Sequence, residues 1–121
     1  MTIADLKNYG ADTDDGLARC MGSQDLYLRL VNMSIDDSRY EKLAESTRSG
    51  DLKTAFETAH ALKGILGNLS LTPLYQPVSE LTEMLRTPQE GADYEPLLQQ
   101  ILSSYGQLKA LDQARDAGSA Q

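Results

Sequence analysis

The residue best suited to chemistry in this chain is His60, its one histidine. It stands in the stretch Asp51 to Leu69, DLKTAFETAHALKGILGNL. On a helical wheel of about 100° per residue, Leu52, Ala55, Ala59, Leu62, Leu66 and Leu69 fall in one apolar stripe, the face a globular helix buries. His60 falls roughly opposite the centre of that stripe. Lys63, Gly64 and Gly67, at i+3, i+4 and i+7, share its side. Phe56 and Lys53 precede it by one and two turns.

A glycine inside a helix costs about 1 kcal/mol relative to alanine, and an ordinary solvated face calls for none. Here two of them bare the helix beside the imidazole, so another macromolecule can bring its backbone close. Lys63 places a mobile cation within reach of whatever the ring carries. Imidazole titrates near neutrality, so its neutral form, with a free ring nitrogen, is abundant at cellular pH. A nitrogen nucleophile, a cation and a cleared approach suit an anionic group arriving on a partner protein.

Other chemistries fit less well. A catalytic triad needs a nucleophile, a base and a group that orients the base, and the chain has no serine or cysteine elbow motif. A histidine metal site needs more ligands than the chain aligns on one face. No glycine-rich phosphate cradle is present, so ATP binding and self-phosphorylation are not expected. Taken singly, a helical histidine or a surface lysine is ordinary, and Gly67-Asn68 reads equally as a helix C-cap. Phe56 reads equally as a docking contact and as packing against a neighbouring helix. The combination at these spacings carries the reading.

The run His60-Ala-Leu-Lys63-Gly64-x-x-Gly67-Asn68-Leu69 resembles the signature helix of histidine-containing phosphotransfer (HPt) domains. Ser49-Gly50-Asp51 is similar to the break that usually precedes that helix, and Asp15 to Cys20 with Leu26-Tyr27 resembles the opening of free-standing members. The resemblance extends from about Tyr9 to Leu85. It implies a phosphoryl carrier with His60 as phosphoacceptor, Lys63 as electrostatic helper, Gly64 and Gly67 as clearance and Phe56 as an apolar partner contact. It implies receiver domains of response regulators and hybrid histidine kinases as partners, the receiver bringing the aspartate and its Mg²⁺, so no cofactor of the chain's own is expected. The alternative is a helical module that docks on a receiver or kinase without carrying phosphate. A glycine is usual in the family where Ser70 stands. Thr82 aligns with the Glu or Gln that often hydrogen-bonds the histidine ring, which makes it the candidate ring-orienting residue, through its hydroxyl or through water.

The elements that must position these residues read as helices, and no segment alternates with the period of a strand. At 121 residues there is room for one core. The expected architecture is all-α, an antiparallel four-helix bundle with one or two short N-terminal helices. Residues 1–114 form the domain, and residues 115–121, small and polar, form a frayed tail. Ile3 to Tyr9, ended by Gly10, and Thr13 to Met21, closed by Gly22, are the short helices. Ser23 caps a helix with Leu26, Leu30 and Met33 inward, Tyr27 and Val31 widening the stripe. Ser34 with Asp37 approximates a capping box for a helix through Tyr40, Leu43, Ala44 and Thr47. Gly50 stops it and Asp51 caps the central helix. Thr72-Pro73 caps the next one, which buries Leu74, Val78, Leu81 and Leu85 and is bent in its first turn by Pro77. After a loop at Gln89 to Ala92, the last helix runs from about Asp93 to Ala114.

The net charge of −7 argues against nucleic acid, whose binding requires a basic surface. Cys20 is alone, which rules out an internal disulfide and fits a reducing compartment. The start MTIADLKNYG lacks the pattern of a signal peptide, and no apolar run reaches the ~20 residues of a membrane span. A cytoplasmic monomer is the expectation.

Overall fold

The computed structural model describes residues 1–119, with side chains described as far as residue 112. Among the described residues there are seven helices and no strand: α1 (Ile3–Tyr9), α2 (Thr13–Arg19), α3 (Gln24–Ile35), α4 (Arg39–Ser49), α5 (Leu52–Asn68), α6 (Thr72–Arg86) and α7 (Glu95–Ser119). Among the described residues no helix is long and apolar enough to cross a membrane.

The central helix forms as its sequence dictates. Gly50 ends α4 in the left-handed conformation (φ 84°), and the carboxylate of Asp51 accepts the Thr54 N–H at the start of α5. Ala55, Ala59, Leu62 and Leu66 are fully buried, which packs α5 between α4 on one side and α6 on the other. α7 closes the ring of four against α6 and α4. It contributes Leu98, Ile101 and Leu108 to the core, opposite Leu74, Val78 and Leu81 of α6. Tyr105 of α7 stacks on Tyr40 of α4 with ring centroids 4.0 Å apart, and donates to the Ile35 carbonyl at the end of α3.

Several expected features move, the first being the end of α2, which falls at Arg19 with Cys20 at its cap rather than at Met21. The stripe of α3 is Tyr27, Val31 and Ile35, one residue on from Leu26 and Leu30, while Met33 is 64% exposed. Long-range contacts choose that register: the Tyr27 hydroxyl donates to the Leu69 carbonyl at 2.8 Å, and its ring fills the space over Gly16 of α2. Ser34 does not start a helix. It lies inside α3 with its hydroxyl on the Val31 carbonyl, and α4 begins at Arg39, whose N–H and guanidinium both bond Asp37. α6 starts one residue earlier than expected, with Thr72 and Pro73 in its first turn and Leu71 at the cap. α7 starts at Glu95, where Asp93 accepts the Glu95 N–H, and runs past Ala114 to Ser119. The frayed tail expected over 115–121 falls where side chains, and for 120 and 121 the backbone too, lie outside the described residues.

The turn between α5 and α6 accounts for the departure at Ser70. Its φ is +55°, a left-handed conformation that is costly for a side-chain-bearing residue and free for glycine. The serine is compensated: its hydroxyl donates to the Asp15 carboxylate, and its carbonyl accepts the Asp12 N–H at 3.0 Å. Together with Tyr27 these bonds fasten α2 to the end of α5.

Tyr27 is thus both core and clamp. Tyr27→Phe leaves the buried Leu69 carbonyl without its donor and should lower unfolding stability by about 1–2 kcal/mol, read by denaturant titration. Burial, then the neighbouring Cys20, Asp12 and Asp15, push the Tyr27 phenol from 10.0 up to about 12. The unfolded chain therefore releases this proton first, so stability is intact below pH 10 and falls as pH rises towards about 12. The alkaline decline should be shallower in Tyr27→Phe.

Candidate phosphotransfer site

Because α5 buries its apolar stripe, the opposite face must meet solvent, and His60 is exposed there. No hydrogen bond to either ring nitrogen is present among the described residues. The ring stacks against Phe56 one turn earlier, with centroids 5.7 Å apart and planes inclined by 26°. Phe56 in turn lies 5.1 Å, ring centroid to guanidinium carbon, from Arg86 of α6, a cation–π distance. Phe56 is therefore half-buried, in contact with both the imidazole and Arg86 of α6, with part of its ring left exposed.

Lys63, on the His60 face, is not free. Its Nζ lies 3.3 Å from Oε1 of Glu83 on α6. The same carboxylate accepts from Arg86, Nε at 3.1 Å and Nη2 at 3.3 Å. Arg86 first and Lys63 second hold the Glu83 carboxyl below the usual carboxylate range. His60, Phe56, Arg86, Glu83 and Lys63 thus form one connected group across α5 and α6.

The two glycines differ. A Cβ on Gly64 would meet nothing within 4 Å, so the helix there is open beside His60. A Cβ on Gly67 would come within 3.3 Å of the Tyr75 ring of α6. Gly67 therefore also makes room for an internal neighbour, while still lining the open side of α5 with Gly64. Thr82 differs from expectation. It is fully buried, and its hydroxyl donates to the Val78 carbonyl at 2.7 Å. It does not orient the ring; the residue of α6 that faces the site is the next one, Glu83.

From His60 an open groove of about 640 Å³ runs along Lys63, Gly64 and Gly67 to Tyr75 and, on the far wall, Asp15 and Arg19 of α2. Asp15 is held by the Ser70 hydroxyl and by Arg19, whose Nε lies 2.9 Å away, and both lower its pKa. Among the described residues, no three His, Cys, Asp or Glu side chains are grouped to hold a metal ion.

Sequence reasoning missed Glu83, Arg86 and the α2 wall. Glu83 and Arg86 are an i,i+3 pair that could be read from the sequence, but their place beside His60 follows only from the packing of α6 on α5.

The family model of the Hpt domain matches residues 30–117, most of the chain and all of α4, α5 and α6. This chain is a member of the Hpt domain family. Neither the comparison with curated proteins nor that with solved structures returned a match. The Hpt assignment gives the chain a phosphotransfer role in two-component signalling, the class in which Hpt domains meet receiver domains and histidine kinases.

The contrast between the glycines is measurable in an Hpt domain of this geometry. Gly64→Ala should gain helix propensity and stabilise by up to about 1 kcal/mol. Gly67→Ala should gain less or lose stability, because Tyr75 must move. Thermal melts of the two variants decide it, and equal gains would mean that Tyr75 does not need the gap.

Proposed function

We propose that this Hpt protein relays phosphoryl groups between receiver-domain aspartates through phospho-His60. The observation that carries this is an exposed imidazole beside the open backbone of Gly64, on the helix of an Hpt domain. A ring nitrogen attacks the aspartyl phosphate; the acyl-phosphate bond breaks, the aspartate leaves as carboxylate and the N–P bond forms. The reverse passes the group to the next receiver. Phosphoryl transfer depends mostly on positioning and charge neutralisation. On this reading the receiver supplies the aspartate and Mg²⁺, while Lys63 adds a cation on the side of the incoming group.

Gly64, open to solvent, is the point of closest approach in this reading, and Phe56, half-exposed beside the imidazole, offers the partner an apolar contact. The reading places the protein in the cytoplasm, where receivers and kinase transmitter domains reside, and as a monomer that offers one His60 to each partner in turn.

Two variants test it. His60→Gln should fold normally, since an exposed side chain contributes little packing, and should take up no phosphate from a phosphorylated receiver. The wild type should carry acid-labile, alkali-stable label. Binding of receiver by both proteins with label on neither would favour the docking module without phosphate. Gly64→Gln should keep or raise the melting temperature, by up to about 1 kcal/mol of helix propensity, yet transfer poorly because the added side chain obstructs the receiver. Normal transfer by that variant would mean the gap admits nothing.

A further inference from the structure

One carboxylate in the site has no part in the transfer just described. Glu83 pairs with Lys63 at 3.3 Å and with Arg86 at 3.1 and 3.3 Å. These are the two cations of α5 and α6 that border His60, one a turn along its own face and the other through Phe56. We propose that Glu83 is the resting counter-ion of the phosphoryl site, holding Lys63 and Arg86 until a phosphoryl group on His60 displaces it. The inference rests on the reading of His60 as the phosphoryl carrier and adds how its charge is managed.

The competition follows from the charges. A phosphoryl group carries about −1.5 to −2 near neutrality and offers three acceptor oxygens. Glu83 offers one negative charge and two oxygens. Glu83 is about half exposed, and among the described residues the hydrogen bonds its carboxylate accepts come from these two cations. Exposed pairs of this kind are weak and exchange readily. Lys63 and Arg86 both have long, flexible side chains, so they can turn from α6 towards His60 while the helices stay in place. The cost of leaving Glu83 is set against the gain of meeting the phosphoryl group. Phospho-His60 is thereby held less tightly than two free cations would hold it, which favours passing the group onward.

The other charges around His60 stay constant in this scheme. On α5 they are Lys53 and Glu57; on the α2 wall they are Asp12, Asp15 and Arg19, the last two paired with each other at 2.9 Å.

The test loads His60 with potassium phosphoramidate, whose P–N bond breaks as ammonia leaves and the ring nitrogen bonds phosphorus. His60 is the sole histidine, so loading needs no receiver, and the outcome is separate from success or failure of receiver transfer. The ³¹P shift of phospho-His60 is then followed against pH to give the phosphoryl pKa. Glu83→Gln should lower that pKa by about half a unit, the scale of a screened surface ion pair, because both cations are freed for the dianion. In a Lys63→Ala/Arg86→Ala background the same change should lower it by less than half as much, the non-additivity expected of groups that act through one another. An equal shift in both backgrounds means Glu83 acts only as a distant charge, and no shift in the wild-type background means it does not compete; either result overturns the proposal. Circular dichroism of each variant confirms the fold, which an exposed Glu83 does not support.

Discussion

The constraint from which the site follows is the burial of one face of α5. Ala55, Ala59, Leu62 and Leu66 are wholly enclosed by α4 and α6, and a helix of 3.6 residues per turn cannot bury that stripe without turning His60, Gly64 and Lys63 to solvent. Ala55 and Ala59 are fully buried at the level of His60, where α5 packs on α6. That packing brings Glu83 and Arg86 of α6 within bonding distance of the His60 face. The same packing thus exposes the nucleophile and supplies its charged surroundings.

A second set of contacts shapes the groove beside it. Tyr27 bonds the Leu69 carbonyl, Asp15 bonds Ser70, and the Asp12 N–H bonds the Ser70 carbonyl. These contacts draw the short helix α2, too short to be stable alone, against the end of α5. There it stands as the wall opposite Gly64 and Gly67. Gly16 is what lets α2 lie so close, since a Cβ there would sit 2.6 Å from the Tyr27 ring. The N-terminal helices therefore border the site rather than merely cap the bundle.

What the sequence disclosed follows the range of the forces involved. The stripe of α5, the Gly50-Asp51 break and the inward residues of α6 depend on local period and capping, and they were legible. The register of α3 was not, because Leu26, Leu30 and Met33 fit a helical stripe as well as Tyr27, Val31 and Ile35 do. The bond from Tyr27 to Leu69, 42 residues away, and the place of its ring over Gly16 decide between them. The same limit separates Thr82 from Glu83. They differ by one residue, about 100° on the helix, and which of them faces His60 depends on how α6 is rotated against α5. That Gly67 also leaves room for Tyr75 follows only from the packing of α6 beside it.

The central claim is that His60 receives a phosphoryl group and gives it up again, and a chase measures both steps. A phosphorylated receiver is mixed with the wild-type protein, and the label on each chain is followed as a second, uncharged receiver is added. The account predicts that acid-labile, alkali-stable label appears on the Hpt protein and then drains from it as acyl phosphate accumulates on the second receiver. Label that never reaches the Hpt protein while the receiver binds it, or that reaches it and does not leave, would contradict the account.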